Sequence, residues 1–169
     1  KQFPILTELH LSHTNAFFDK FECIEKLTVE NVSGEWMEKF PNVKQLTMIF
    51  KYGVFLGMYA FLANLIQLRE VTIIDSKIPE LNIPSVKKLS LTNVTMCAKR
   101  PFRFEDNQIR ELQLHSCNAI DDWLADFIAQ ENTRLHTLSI SNIAINPLIV
   151  KMIEGQRGKK IRNLKIMNC

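Results

Sequence analysis

The sequence predicts an α/β fold in which short strands, each followed by a connection, stack into one curved parallel sheet. Residues 109–143 contain an apolar alternation, an amphipathic run and a second apolar alternation. Leu112, Leu138 and Leu164 are the central residues of three such alternations, and successive ones are 26 residues apart. A strand and a helix that recur at a fixed period in the twenties are typical of a solenoid built from stacked repeats.

Eight nine-residue blocks, the first beginning at Leu6, fit one pattern in which the first, fourth and sixth residues are apolar. We call the nine positions columns one to nine, and column four contains Leu9, Leu27, Leu46, Val71, Leu89, Leu112, Leu138 and Leu164. Because successive residues of a strand project to opposite faces, columns four and six are predicted to be buried. Columns three, five and seven are predicted to line a concave surface, which we call the open face. The pattern therefore predicts about eight parallel strands in one sheet.

The connections between the blocks predict different structures on the convex side of this sheet. Two short connections have room for a turn or two of helix, at residues 16–21 and 34–40. The apolar segment 54–68 predicts a longer helix. Prolines within segments 76–84 and 97–108 predict extended or irregular connections, because proline removes a backbone donor and restricts the residue before it.

Two connections near the end of the chain have the pattern of α-helices. Segment 120–130 carries apolar residues at helical spacing with acids between them, namely Ile120, Trp123, Leu124, Phe127 and Ile128. The second predicted helix covers residues 147–154. Asn146 precedes Pro147, and this order is typical of an N-cap followed by the first helical residue.

Composition limits the class of protein. The chain of 169 residues is 46% hydrophobic, which is enough to bury a core, and its length predicts one domain over residues 1–169. Because the chain opens inside a repeat, we interpret it as a fragment of a longer protein. The net charge of +3 gives no general indication of a polyanionic partner. No apolar run is long enough to span a membrane, so no membrane partner is expected.

The four cysteines, Cys23, Cys97, Cys117 and Cys169, form no C-x-x-C pair. Cys117 and Cys169 occupy column nine two repeats apart. Strands stacked about 4.8 Å apart would separate them by about 10 Å, which is too far for a disulfide. The cysteines are therefore predicted to be buried free thiols that fill repeat positions. Reduced thiols fit a cytoplasmic or nuclear location.

Residues 112–129 read L-Q-L-H-S-C-N-A-I-D-D-W-L-A-D-F-I-A. This segment, with its continuation to Ile143, resembles the cysteine-containing subclass of leucine-rich repeats, whose pattern runs L-x-L-x-x-C-x-x-I-T/D-D-x-x-L-x-x-L/I-A. That subclass is best known from F-box proteins, the substrate receptors of cullin-RING ubiquitin ligases. The resemblance implies a leucine-rich repeat solenoid with helices and irregular turns on its convex side. It also implies that the chain is the substrate-binding part of such a receptor.

Column seven places an apolar pair on the open face. Ile49 and Ile74 occupy this column in neighbouring blocks, Phe50 follows Ile49, and Thr72 lies in column five beside them. Contiguous exposed apolar surface usually marks an interaction site, so these residues are predicted to bind a protein partner. The alternative is that the long connection 54–68 folds over them.

From the third block onward, column two contains a row of cationic residues that is interrupted only by the titratable His136. We call this row the basic ridge: Lys44, Arg69, Lys87, Arg110 and Arg162. Like charges stacked about 4.8 Å apart repel one another, so the row implies either compensation or a ligand. Compensation by Glu70 and Glu111 in column three would leave a solvated ridge without a function. The other interpretation is that the lysines and arginines of the ridge bind an acidic or phosphorylated partner.

No catalytic or metal site is predicted. The histidines are scattered, and no His, Cys or Asp cluster has the spacing of metal ligands. The five glycines form no phosphate-binding pattern, so neither a cofactor nor an enzymatic activity is expected.

The predicted function is non-catalytic recognition of a protein partner by the open face. The alternatives are an adaptor that uses the basic ridge to bind an acidic partner or nucleic acid, and a structural arm of a larger assembly. The mild net charge argues against nucleic acid.

Overall fold

The fold is α/β, and its main feature is one parallel sheet of eight strands. The computed structural model describes residues 6–13, 20–32, 36–51, 62–79, 81–97, 108–129, 134–156 and 160–169. Its strands are β1 (Glu8–Ser12), β2 (Lys26–Glu30), β3 (Gln45–Ile49), β4 (Glu70–Ile74), β5 (Lys77–Ile78), β6 (Lys88–Thr92), β7 (Thr95–Met96), β8 (Glu111–His115), β9 (Thr137–Ser141) and β10 (Asn163–Met167). The short strands β5 and β7 pair in a separate two-stranded sheet.

The main sheet has the order β1-β2-β3-β4-β6-β8-β9-β10, so each strand lies beside the strand of the next block. Every neighbouring pair is parallel. The register joins the column-four residues of successive strands without a slip, as in the pairs Leu112↔Leu138 and Leu138↔Leu164. The prediction of eight parallel strands in one sheet is therefore confirmed, together with the predicted register.

Burial alternates along β2, β3, β4, β6, β8 and β9 as the columns predict. At the edges of the sheet the prediction holds only in part, because Leu9 and Leu164 are partly buried and Ile166 is exposed. In β8, Leu112 and Leu114 are buried, whereas Glu111 and Gln113 on either side of Leu112 are partly exposed. The buried column-four and column-six residues join the apolar residues of the connections in one core. The cause is the two-residue period of a strand, which places alternate side chains on opposite faces.

A residue with left-handed backbone geometry ends seven of the eight strands of the main sheet. In column eight, φ lies between 48° and 57° at His13, Asn31, Asp75, Asn93, Ser116, Asn142 and Asn168. Asn and Asp tolerate this region because their short polar side chains form local hydrogen bonds. The backbone N–H in column eight donates to the column-seven carbonyl of the next strand, as from Asn31 N to Ile49 O over 2.9 Å. This turn redirects the chain from the sheet toward the connections.

The two predicted α-helices are confirmed. Helix α1 (Asp121–Ala129) buries its apolar side, and helix α2 (Pro147–Gln156) contacts it. Asn146 caps α2, because its Oδ1 accepts a hydrogen bond of 2.9 Å from the backbone N–H of Leu148. In the described part of the chain, neither helix has the length and apolar character that a membrane span requires.

The other connections are described in part. The predicted short helix at 34–40 is confirmed as a 3₁₀ helix, Trp36–Lys39. Residues 62–64 form a 3₁₀ turn, whereas most of the predicted long helix at 54–68 lies outside the described residues. Most of the predicted turn of helix at 16–21 and of the irregular connection at 97–108 lies outside them as well.

All four cysteines are free thiols, but their burial differs. Cys117 is buried, and its Sγ contacts the carbonyl oxygens of Leu91 and His115 at 3.4 Å. The prediction of buried thiols is wrong for Cys23, Cys97 and Cys169, which are exposed. Cys169 shares column nine with Cys117 but follows β10, over which no further repeat packs among the described residues.

Candidate protein-recognition surface

Ile49 and Ile74 lie directly opposite each other in β3 and β4. Both are partly exposed on the open face, as predicted from column seven. Thr47 and Thr72 form the neighbouring pair in column five, also partly exposed. The structure therefore brings an apolar pair and two hydroxyl groups together near the middle of the sheet.

Phe50 does not belong to this exposed surface, and the prediction that it does is wrong. Its side chain is only 2% exposed. Phe50 occupies column eight, where the other blocks carry a polar residue with positive φ, and it is absent from the positive-φ set. Its N–H still donates to Ile74 O over 3.0 Å, so the backbone pairing is kept while the large apolar side chain packs into the core.

A groove of about 530 Å³ lies where β3, β4 and β6 end, beside the isoleucine pair. Its lining consists of residues that follow these three strands: Phe50, Lys51, Asp75, Ser76, Lys77, Asn93 and Thr95. The groove carries both charges, and its polar rim includes a hydrogen bond of 2.7 Å from Asn93 Nδ2 to Asp75 Oδ1. Sequence reasoning missed this groove, because three connections of different length form it together.

The side of the isoleucine pair toward the start of the chain is strongly polar. Glu30 lies beside Ile49 in the register, and its Oε1 is 2.6 Å from Lys51 Nζ. His10 Nε2 and His13 Nε2 each lie 3.7 Å from a Glu30 oxygen. The hydrogen bond from Lys51 lowers the pKa of the Glu30 carboxyl below its ordinary value, and the positive charge of Lys51 acts in the same direction.

The other side of the pair carries a histidine and a serine in column seven. His115 Nδ1 and Ser141 Oγ are 2.9 Å apart and share a hydrogen bond. A nucleophilic serine needs a base that is itself oriented by a third group. Among the described residues no carboxylate forms an ion pair or a hydrogen bond with His115. The pair therefore forms a polar contact surface without the third member of a triad.

The basic ridge crosses the strands at their amino ends, as column two predicts. Its backbone groups are joined from one strand to the next, for example from Arg110 N to Lys87 O over 2.7 Å. Lys44 pairs with Glu25, with 2.6 Å between Nζ and Oε1. Arg69 is partly buried, and its guanidinium donates to the carbonyls of Ile66 and Leu68. Lys87, Arg110, His136 and Arg162 are exposed.

The two column-three acids nearest the ridge form their contacts outside it. Glu70 accepts a hydrogen bond of 3.3 Å from Gln45, and Glu111 lies 3.9 Å from Lys88. These partners belong to column three, because residues of one column face each other across neighbouring strands. Both acids therefore interact with side chains of their own column rather than with the ridge.

Within the described ranges, no group of three or more His, Cys, Asp or Glu side chains is placed to hold a metal ion. Comparison with models of protein families, with curated proteins and with solved structures gives no match to this chain.

Proposed function

We propose that this chain is a leucine-rich repeat domain that recognises a protein partner through the open face of its sheet. On this proposal Ile49 and Ile74 are the apolar anchors, and Thr72 and the neighbouring groove provide polar contacts. The repeat assignment is supported by the unbroken register, by the left-handed turn in column eight and by the strand–helix unit at residues 112–129.

The observation that carries the proposal is the adjacency of two isoleucines whose immediate neighbours in column seven, Glu30 and Thr92, are polar. Column five is Thr, Thr, Thr, Ser in β2 to β6, and column seven continues from Ile74 to Thr92 and His115. An apolar pair surrounded by polar groups matches the usual anatomy of a binding site, in which a small apolar centre is bordered by a polar rim. A groove beside the pair offers a partner side chain a place to insert.

Within this proposal, the role as substrate-binding part of an F-box-type ubiquitin ligase receptor rests on the resemblance of residues 112–129. This role implies that the full-length protein co-purifies with subunits of a cullin-RING ligase. It also implies that the protein bound by the open face is ubiquitinated by that complex. Binding without ubiquitination would retain the recognition module and reject the ligase role.

The experiment that tests recognition compares two pairs of apolar substitutions in the full-length protein. Ile49→Ser with Ile74→Ser should abolish capture of the partner and leave the thermal unfolding midpoint nearly unchanged. Ile66→Ser with Leu148→Ser is the matched control, because these side chains are 70% and 66% exposed and lie outside the open face. Capture should change little with salt, because burial of apolar surface is not screened.

The control variant also defines the results that would contradict the proposal. A partner that is lost equally with both variants, or with neither, would show that the isoleucine pair is not the anchor. A partner retained by the Ile49/Ile74 variant but released at moderate salt would point to charged contacts instead.

A further inference from the structure

The half of the basic ridge nearer the end of the chain has different surroundings from the first half. Lys44 is compensated by Glu25, and Arg69 donates to two backbone carbonyls. Lys87, Arg110 and Arg162, by contrast, have no side-chain hydrogen bond or ion pair within the described part of the chain. We call these three residues the free ridge.

The free ridge is a row that crosses neighbouring strands at a regular spacing. Its backbone connections run from Arg110 N to Lys87 O, from His136 N to Arg110 O and from Arg162 N to His136 O, at 2.7, 2.8 and 2.9 Å. Neighbouring strands lie about 4.8 Å apart, so the row from Lys87 to Arg162 is about 14 Å long. His136 occupies the one position in the row between Arg110 and Arg162.

A further cation, Arg134, lies outside this row and has a neutral hydrogen-bond partner. Arg134 is exposed, and its guanidinium donates to Gln108 Oε1 over 2.7 Å. Gln108 and Arg134 are the residues directly before column one in the blocks of Arg110 and His136. The hydrogen bond holds the guanidinium in place without neutralising it, so Arg134 adds a positive charge beside the row.

We propose that the free ridge, with Arg134 beside it, binds an acidic segment of a protein in extended conformation. A length of about 14 Å corresponds to about four to five extended residues at about 3.3 Å each. Several carboxylates along such a segment can each meet a different cation, and charge-assisted hydrogen bonds to Arg are favourable in this geometry. This surface lies at the amino ends of the strands, away from Ile49 and Ile74 at their carboxyl ends, and is independent of the proposed function.

The surroundings favour an acidic peptide over a single-stranded nucleic acid. Proteins that bind single strands combine a positive groove with aromatic side chains on which bases stack. Columns one to three of the last four blocks contain no Phe, Tyr or Trp, and His136 is the one imidazole in the row. Glu111 in the adjacent column and a net charge of only +3 also reduce attraction for a continuous phosphate backbone.

Fluorescence anisotropy at low salt tests the proposal with three labelled probes, hexaglutamate, hexaglutamine and a six-nucleotide single strand. We expect binding of hexaglutamate, weaker binding of the oligonucleotide and none of hexaglutamine. Arg110→Ser with Arg162→Ser should weaken hexaglutamate binding by about tenfold or more, because exposed charge contacts are lost. Arg110→Lys with Arg162→Lys keeps the charges and should retain most of the binding.

Lys26→Ser with Lys151→Ser is the matched control, since both lysines are exposed and lie off the ridge. This pair of substitutions removes the same number of positive charges as Arg110→Ser with Arg162→Ser. This variant should bind hexaglutamate within about twofold of the wild type, and the Ile49/Ile74 variant should also bind it normally. Circular dichroism and the thermal midpoint verify folding of each variant. No hexaglutamate binding by the wild type, an equal loss in the lysine control, or tighter binding of the oligonucleotide would overturn the proposal.

Discussion

Lys51 Nζ lies 2.6 Å from Glu30 Oε1 and thereby joins the end of β2 to the residue that follows β3 by two positions. The Glu30 side chain is only 13% exposed, so the carboxylate sits in a partly closed site with His10 and His13. The pair connects two neighbouring blocks at the border of the candidate recognition surface, and its charge state affects both stability and surface charge.

The lowered pKa of Glu30 predicts a specific dependence of stability on pH. The ionised form is favoured in the folded state, so the pair stabilises the fold above the pKa of the unfolded chain. This contribution is lost as the pH falls through the lower pKa of the folded state. Glu30→Gln should reduce the free energy of unfolding most near pH 6, and this reduction should shrink progressively as the pH falls below 4.5, measured by urea denaturation.

Glu154→Gln serves as the control for this measurement, since Glu154 is exposed on α2. The assigned role of the Glu30–Lys51 pair would be contradicted by a parallel fall in the free energy of unfolding of the wild type and of the Glu30→Gln variant between pH 6 and pH 3.

Leu112 and Leu138 pair in the register at the centre of the core, and both are fully buried. Replacing either by Ala should lower the free energy of unfolding by about 2–5 kcal/mol, because a cavity remains where the side chain was. Leu148→Ala, at a position 66% exposed, should change it by less than about 0.5 kcal/mol. Chemical denaturation measures both, and a cost below about 1 kcal/mol at Leu112 would mean that its surroundings are not packed.

The cap of α2 rests on one side-chain hydrogen bond, from Leu148 N to Asn146 Oδ1. Asn146→Ala should destabilise the protein by about 1 kcal/mol, because a backbone donor at the start of the helix loses its acceptor. Asn146→Ser should retain most of the stability, since a hydroxyl oxygen accepts the same bond. Equal effects of the two substitutions on the thermal midpoint would argue against the cap.

Cys117 should react differently from the other three cysteines. Burial raises the pKa of its thiol, although backbone hydrogen bonds oppose the shift. Thiolate is the reactive form, so at neutral pH a thiol reagent should modify Cys23, Cys97 and Cys169 rapidly and Cys117 only after unfolding. Cys117→Ala removes the thiol that is labelled slowly and should leave the three that are labelled rapidly. Mass spectrometry can count the labels on each protein. Rapid labelling of four thiols in the folded wild type would contradict the burial of Cys117.

The elements that follow from short-range rules were predictable. Between the two edge strands of the main sheet, columns four and six are buried because a strand alternates its faces. Leu112 pairs with Leu138 because each block contributes one equivalent strand. The helices around Trp123 and after Asn146 follow from a 3.6-residue period and from a capping residue. The stacking of columns also predicted that Ile49 meets Ile74 and that the residues of the basic ridge form a row.

The features that depend on packing between connections were not predictable. Phe50 lies one residue from an exposed position, but its burial depends on whether the core beneath it can accept an aromatic ring. The groove beside Ile74 is formed by residues from three repeats, and no local pattern relates them. Glu111 lies next to Lys88 rather than the ridge because register decides which charges meet. Periodicity along the chain thus determined the sheet and its columns, whereas contacts between distant connections decided which side chains remain available to a partner.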